Sequence, residues 1–178
     1  FWANKSKNYG TAPQENGIGI APTRALVGFL DNHDRPRFLF DAQGDVDALR
    51  NALTLLLTEE GIPCIYYGTE QELRGGNDPA NREVLWNTGF STQGATFRHI
   101  AKLARLRKTY VALRRGDLEL RYATTATGDE RDAGLFAFER AGGGQAQKVR
   151  RLDPRGLRKL LPDRFVKWAF ARLALLVR

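Results

Sequence analysis

Asn32, His33 and Asp34 stand side by side in the stretch Phe-Leu-Asp-Asn-His-Asp-Arg-Pro-Arg at positions 29–37. Together they offer hydrogen-bond donors, acceptors and one negative charge, which suits a polar ligand. An Asx-rich turn that caps the following helix would use the same residues without a ligand, so the local pattern leaves both readings open. Further along, Gly-Gly-Asn-Asp-Pro-Ala-Asn-Arg-Glu at 75–83 brings Asp78 and Arg82 four positions apart in a glycine- and proline-rich loop. Taken alone, that pair is an exposed loop ion pair worth at most about 1 kcal/mol.

Each polar cluster follows a short apolar run, residues 25–30 in the first case and 62–67 in the second. Between them, Leu49, Ala52, Leu53, Leu56 and Leu57 recur with the i, i+3, i+4, i+7 spacing of an amphipathic helix. Asp45 suits its N-cap, Gly61 a left-handed residue after its end, and Pro63 blocks continuation. The predicted order is strand, polar loop, helix, strand, polar loop, helix. Such a βαβα repeat implies a parallel sheet whose ligand-binding groups gather at the carboxyl ends of the strands. Both runs are apolar on both faces, as in a closed barrel wrapped by helices. A further helical pattern covers 95–115, with Phe97, Ile100, Leu103, Leu106 and Val111 as its apolar residues.

These stretches resemble a known family. Phe-Leu-Asp-Asn-His-Asp-Arg-Pro-Arg-Phe is similar to the fourth signature region of the α-amylase family of glycoside hydrolases. Gly-Ile-Pro-Cys-Ile-Tyr-Tyr-Gly-Thr-Glu-Gln, with Gly-Gly-Asn-Asp-Pro-Ala-Asn-Arg after it, resembles that family's eighth barrel strand and following loop. The second loop looks most like true α-amylases, while Tyr-Gly-Thr-Glu-Gln is also similar to cyclodextrin glucanotransferases and maltogenic amylases. The resemblance runs from about residue 20 to about 140. It implies an α/β fold, the C-terminal part of a (β/α)8 TIM barrel with strands seven and eight and their helices, followed by the start of an antiparallel β domain. A whole barrel takes roughly 250 residues, against 178 here, and the chain has no methionine and begins with Phe. The expectation is therefore a C-terminal piece of a larger enzyme: barrel over 1–115, β domain from 116 to 145, and a basic tail over 146–178.

The resemblance also implies roles. Asp34 matches the carboxylate that stabilises the transition state by binding the sugar in the cleavage subsite, and His33 the histidine that binds the same sugar. Asp78 and Arg82 match a pair that holds sugar hydroxyls towards the non-reducing end, and Arg37 is expected to support Asp34. Retaining glycosidases need a nucleophile and an acid about 5–5.5 Å apart. In this family those groups come from strands four and five, so the chain by itself is expected to be inactive. The implied substrate is an α-glucan polysaccharide or oligosaccharide, with hydrolysis of α-1,4 bonds and glucanotransferase-type transfer both open. The family often carries calcium through ligands mostly upstream of the matched segments, so no cofactor is expected in this chain and calcium only in the full-length enzyme. An extracellular location is implied for that enzyme.

Other residues read blandly. His99 is expected on a helix face, and the lone Cys64 is expected as a small core residue inside a strand. Asn4-Lys5-Ser6 fits a glycosylation acceptor, a pattern common by chance. Leu118, Leu120 and Tyr122 alternate with polar neighbours, and residues 135–139 supply a second strand for a hairpin. The net charge of +8 sits entirely in 146–178, which hold ten basic and two acidic residues. The body is electrically balanced, so no nucleic-acid partner is expected. In the tail, Leu157, Leu160, Leu161, Phe165, Trp168, Ala169 and Leu173 fall at helical spacing among arginines and lysines. That could be a basic amphipathic helix docking a membrane or a partner, the non-enzymatic alternative. An abrupt Arg/Leu/Pro/Ala-rich ending is what a shifted reading frame yields, which is the favoured reading, and membrane contact is not expected.

Overall fold

In the computed structural model, residues 7–126 and 135–142 are described in full and 175–177 by their backbone. The acceptor at Asn4 and the helical spacing read over 157–173 lie outside the described residues. The chain divides into two compact units, one ending at Arg105 and the other starting at Leu106.

The first unit is α/β. Strand β1 (Val27–Gly28) pairs in parallel with β2 (Ile62–Pro63), in the register Val27 with Ile62 and Gly28 with Pro63. The Ile62 N–H donates to the Leu26 carbonyl at 2.9 Å and the Cys64 N–H to the Gly28 carbonyl at 2.8 Å. The connection contains the predicted helix, Val46–Thr58. Asp45 caps it as expected, its carboxylate accepting from the Ala48 N–H at 2.9 Å. Leu49, Leu53, Leu56 and Leu57 are buried, Leu53 completely. A Cβ placed on Gly28 would come within 3.2 Å of Leu56 Cδ1 and 3.1 Å of Glu59 Oε1. A side chain at position 28 would thus crowd the ends of two helix side chains, which would have to shift by a few tenths of an ångström.

Both strands are shorter than the apolar runs suggest. Residues 22–25 form a helical turn (Pro22–Ala25) instead of the start of β1, because Pro22 at the first position presets the helical φ. Nor are the runs buried on both faces: Val27 is 54% exposed, Phe29 47% and Ile62 51%. Two paired strands with one helix at Gly28 leave the remaining surface of the pair without cover. For the same reason Cys64 is an exposed free cysteine, not the core residue expected of it.

The helical pattern over 95–115 forms two helices, Ala95–Thr109 and Val111–Arg115. The break falls at Tyr110, whose extended backbone (φ −98°, ψ 108°) precedes the second helix. In the second unit, β3 (Asp117–Ala123) and β4 (Phe136–Ala141) make the antiparallel hairpin that the alternation implied. The register shifts between Leu120 and Tyr122, leaving Arg121 as the bulged residue. Arg121 Nε donates to the buried Glu139 carboxylate at 3.0 Å. Strand β5 (Leu175–Val177) lies parallel to β4 on its other edge, so these last described residues are extended. Being central, β4 carries the buried Ala137, Phe138, Glu139 and Arg140, whereas Leu120 and Tyr122 on edge strand β3 are exposed. Among the described residues no helix is long and apolar enough to cross a membrane.

Exposed apolar strand residues beside open edges favour association. The chain alone is expected to self-associate as its concentration rises, and V27K/I62K to lessen this. Sedimentation over a concentration series checks both; a wild-type monomer throughout would contradict the expectation.

Candidate functional site

The loop after β1 and the loop after β2 are held together, and the residues that hold them are buried. Asp31 is 3% exposed. Its carboxylate accepts from the Phe38 N–H at 2.9 Å and from the Thr69 hydroxyl at 3.3 Å, fastening the first loop to the helical turn Phe38–Asp41 and to the turn after β2. Asn81, with no exposure at all, reaches from the second loop. Its amide nitrogen donates to the carbonyls of Asn32 (3.3 Å), His33 (2.9 Å) and Arg35 (2.8 Å).

Arg37 sits elsewhere than expected. It is fully buried, and its contacts run to the second loop: Nη1 donates to the Tyr67 carbonyl at 2.5 Å, and Nε lies 3.4 Å from Glu83 Oε2. Its guanidinium lies over the rings of Tyr66 and Tyr67, 4.2 and 4.8 Å from their centroids, contacts that favour a desolvated cation. Asp34 has other neighbours, its N–H donating to Asn32 Oδ1 at 2.9 Å and its carboxylate lying 3.3 Å from His33 Nε2. Arg37 is therefore a pillar of the second loop. Glu83 completes that pillar by accepting from the backbone N–H groups of Arg74 (3.1 Å) and Gly75 (2.8 Å). Tyr67, which has no role legible from sequence, donates its hydroxyl to the Glu83 carbonyl at 3.0 Å. A Cβ on Gly75 would fall 1.8 Å from the Ala80 carbonyl oxygen, so the loop closes this tightly only with glycine there.

On this buried frame stand the polar residues picked out from the sequence. His33 and Asp34 present side chains 63% and 68% exposed. Asp78 and Arg82 form the expected ion pair at 3.3 Å, both about half exposed. Arg82 also reaches the first loop, with Nε and Nη2 donating to the His33 carbonyl at 3.4 and 3.3 Å. The loops thus bring His33, Asp34, Asp78 and Arg82 into one connected, solvent-facing cluster. It offers two carboxylates, a cation and an imidazole to a hydroxyl-rich ligand. Asn81, Glu83 and Asp31 were not singled out from the sequence. Asn81 lies inside the Asn-Asp-Pro-Ala-Asn-Arg motif, which was the available signal. Among the described residues no group of three or more His, Cys, Asp or Glu side chains could hold a metal ion.

A family model for the α-amylase catalytic domain matches residues 7–116, a stretch containing both loops. The chain belongs to the α-amylase family of glycoside hydrolases. Alpha-amylase 1 of Lipomyces kononenkoae is 47% identical over 85 residues, 48% of this chain and 14% of that protein. A cyclomaltodextrin glucanotransferase of Bacillus sp. (strain 38-2) is 40% identical over 124 residues, 68% of this chain and 17% of that one. Among solved structures, an α-amylase from Malbranchea cinnamomea superposes with a TM-score of 0.59 at 31% identity, covering 68% of this chain and 25% of that one. The α-amylase of Geobacillus thermoleovorans complexed with acarbose gives 0.56 at 31% identity, covering 74% and 27%. The chain thus spans between 14% and 27% of the length of these four relatives.

Behind the second loop lies another polar network. Arg50 reaches Glu72 (3.3 Å) and the Thr96 hydroxyl (3.1 Å), and that hydroxyl donates to Glu72 at 2.5 Å. His99, expected on a helix face, is 6% exposed, with Nε2 3.0 Å from both the Thr54 hydroxyl and the Arg50 carbonyl. Burial holds its pKa below the ordinary 6.5; the Arg50 carbonyl opposes that shift, and the positive charges of Arg50 and Lys102 add to it. The fold therefore favours neutral His99, and the unfolded chain binds the extra proton first. This contribution to stability is complete above about pH 6.5 and is lost as pH falls below it. H99Q is expected to flatten the acid side of the curve of denaturation midpoint against pH. Parallel wild-type and variant curves would show that His99 is not its source.

Proposed function

We propose that this chain supplies part of the sugar site of a retaining α-glucan-active hydrolase of the α-amylase type. In this reading β1 and β2 are barrel strands seven and eight, and the β3–β4 hairpin opens the β domain that follows the barrel. Asp34 stabilises the oxocarbenium-like transition state with its charge, and His33 binds the same sugar. Asp78 and Arg82 hold hydroxyls of the neighbouring sugar, and Arg37 supports the loop that carries them. One observation carries the reading: the two family-like loops, distant in sequence, are joined through Asn81 and Arg82 and present these four side chains together to solvent.

The nucleophile and the general acid belong to other strands of the family's barrel, so catalysis needs polypeptide beyond the segments matched here. The ligand is an α-glucan, and acarbose bound by the Geobacillus thermoleovorans relative is consistent with that. A second reading, transfer to a sugar acceptor, is favoured by the glucanotransferase relative, which aligns over 68% of the chain. The two activities share this site and differ in acceptor access, so cyclic products from starch would mark transfer and free reducing ends hydrolysis.

Two outcomes are expected. Purified chain incubated with starch should release no reducing ends, and turnover well above buffer would refute the assignment of the reacting carboxylates to other strands. In an active polypeptide carrying this segment, D34N should lower kcat on the order of 10²–10³-fold by removing a transition-state charge contact while keeping the side chain's shape. A D34N enzyme with near-normal kcat and an unchanged melting curve would remove Asp34 from this role.

A further inference from the structure

We infer that Asn81 is a positioning residue of the sugar site, acting through Asp34; the inference rests on the role proposed above for Asp34. The Asp34 carboxylate is 68% exposed, and its partner within reach, His33 Nε2 at 3.3 Å, is itself 63% exposed. Two exposed side chains hold each other weakly. Where the carboxylate stands is therefore decided by the backbone beneath it, and Asn81 grips that backbone on both sides. The His33 carbonyl belongs to the peptide entering Asp34, and the Arg35 carbonyl to the peptide just beyond the residue that follows it. The Asn81 amide nitrogen donates to both, at 2.9 and 2.8 Å, and to the Asn32 carbonyl at 3.3 Å.

The chemistry of this contact is specific to a carboxamide. An NH2 group carries two donors and three acceptors surround it, so every N–H is used. The opposite amide orientation would press an oxygen against three carbonyl oxygens, which fixes the assignment of nitrogen and oxygen. Asn81 Oδ1 is buried without a hydrogen-bond partner, a cost borne while the donor side is fully used. Aspartate at this position has the same shape but turns the donor into a charged acceptor facing three carbonyls. The loop must then move away, and Asp34 moves with it. Misplacement of a catalytic group by about 1 Å costs about 10²-fold in rate.

The test is a double-mutant cycle in the active polypeptide carrying this segment, using N81D, D34N and N81D/D34N, with N81A as a second variant that removes the donor without adding charge. N81D is expected to lower kcat about 10²-fold with KM nearly unchanged and a cooperative melting transition retained. In the D34N background the same substitution should cost little more, because a residue acting through Asp34 has nothing left to position. A full N81D loss on top of D34N would overturn the inference, and so would normal kcat in both N81D and N81A. Loss of cooperative unfolding in both Asn81 variants would also overturn it, by making the residue a requirement of the fold. A normal kcat in D34N alone would instead remove the reading on which the inference stands.

Discussion

One buried amide group joins two loops that the sequence places far apart. Asn81 has no solvent exposure, so its donors must find acceptors in the protein, and the acceptors it finds are three backbone carbonyls, of Asn32, His33 and Arg35, around Asp34. Everything exposed at the site depends on that satisfaction. His33 and Asp34 project from a backbone held from below, while Asp78 and Arg82 project from the loop that does the holding. Loops carry function where a rigid frame positions them, and here each loop is the other's frame.

The second loop needs rigidity of its own to serve in this way. Arg37 provides it from the core, as a fully buried cation seated on two tyrosine rings and facing Glu83. A buried guanidinium is costly unless its surroundings compensate the lost hydration. The tyrosine faces, the Tyr67 carbonyl and the Glu83 carboxylate supply part of that compensation, while Arg37 Nε and Nη2 are buried without a hydrogen-bond partner. Glu83 then spends its remaining acceptor capacity on two backbone N–H groups, Arg74 and Gly75. Charge burial and loop geometry are thus one arrangement, in which removing Glu83 would take a carboxylate from beside the buried Arg37 cation.

The first unit is anchored to this frame by ordinary packing. Helix Val46–Thr58 buries four leucines, and Gly28 lets it settle onto β1. From the same helix, Arg50 and Thr54 extend the polar network to Glu72, Thr96 and His99. The helix therefore couples the sheet on one side to the base of the second loop on another. By contrast, the apolar side chains of Val27, Phe29 and Ile62 are about half exposed.

The sequence by itself determined what local rules govern. The Asp45 cap, the leucine stripe, the alternation of β3 and the two family-like loops with their candidate residues are all properties of neighbours in the chain, and local spacing records them. Strand length was not local: the apolar runs overstated β1 and β2, since strand extent depends on pairing partners, and the helical turn begun at Pro22 takes in Ala25 at the start of the first run. The burial expected of Cys64 failed for the same reason. Exposure is set by what packs against a residue from elsewhere, and no spacing rule contains that information. Only the tertiary structure decided that Arg37 serves the second loop and that Asn81, an unremarked polar residue within its motif, governs the first. Both act across thirty or more positions of chain, where hydrogen bonds obey geometry in space and leave no period in the sequence.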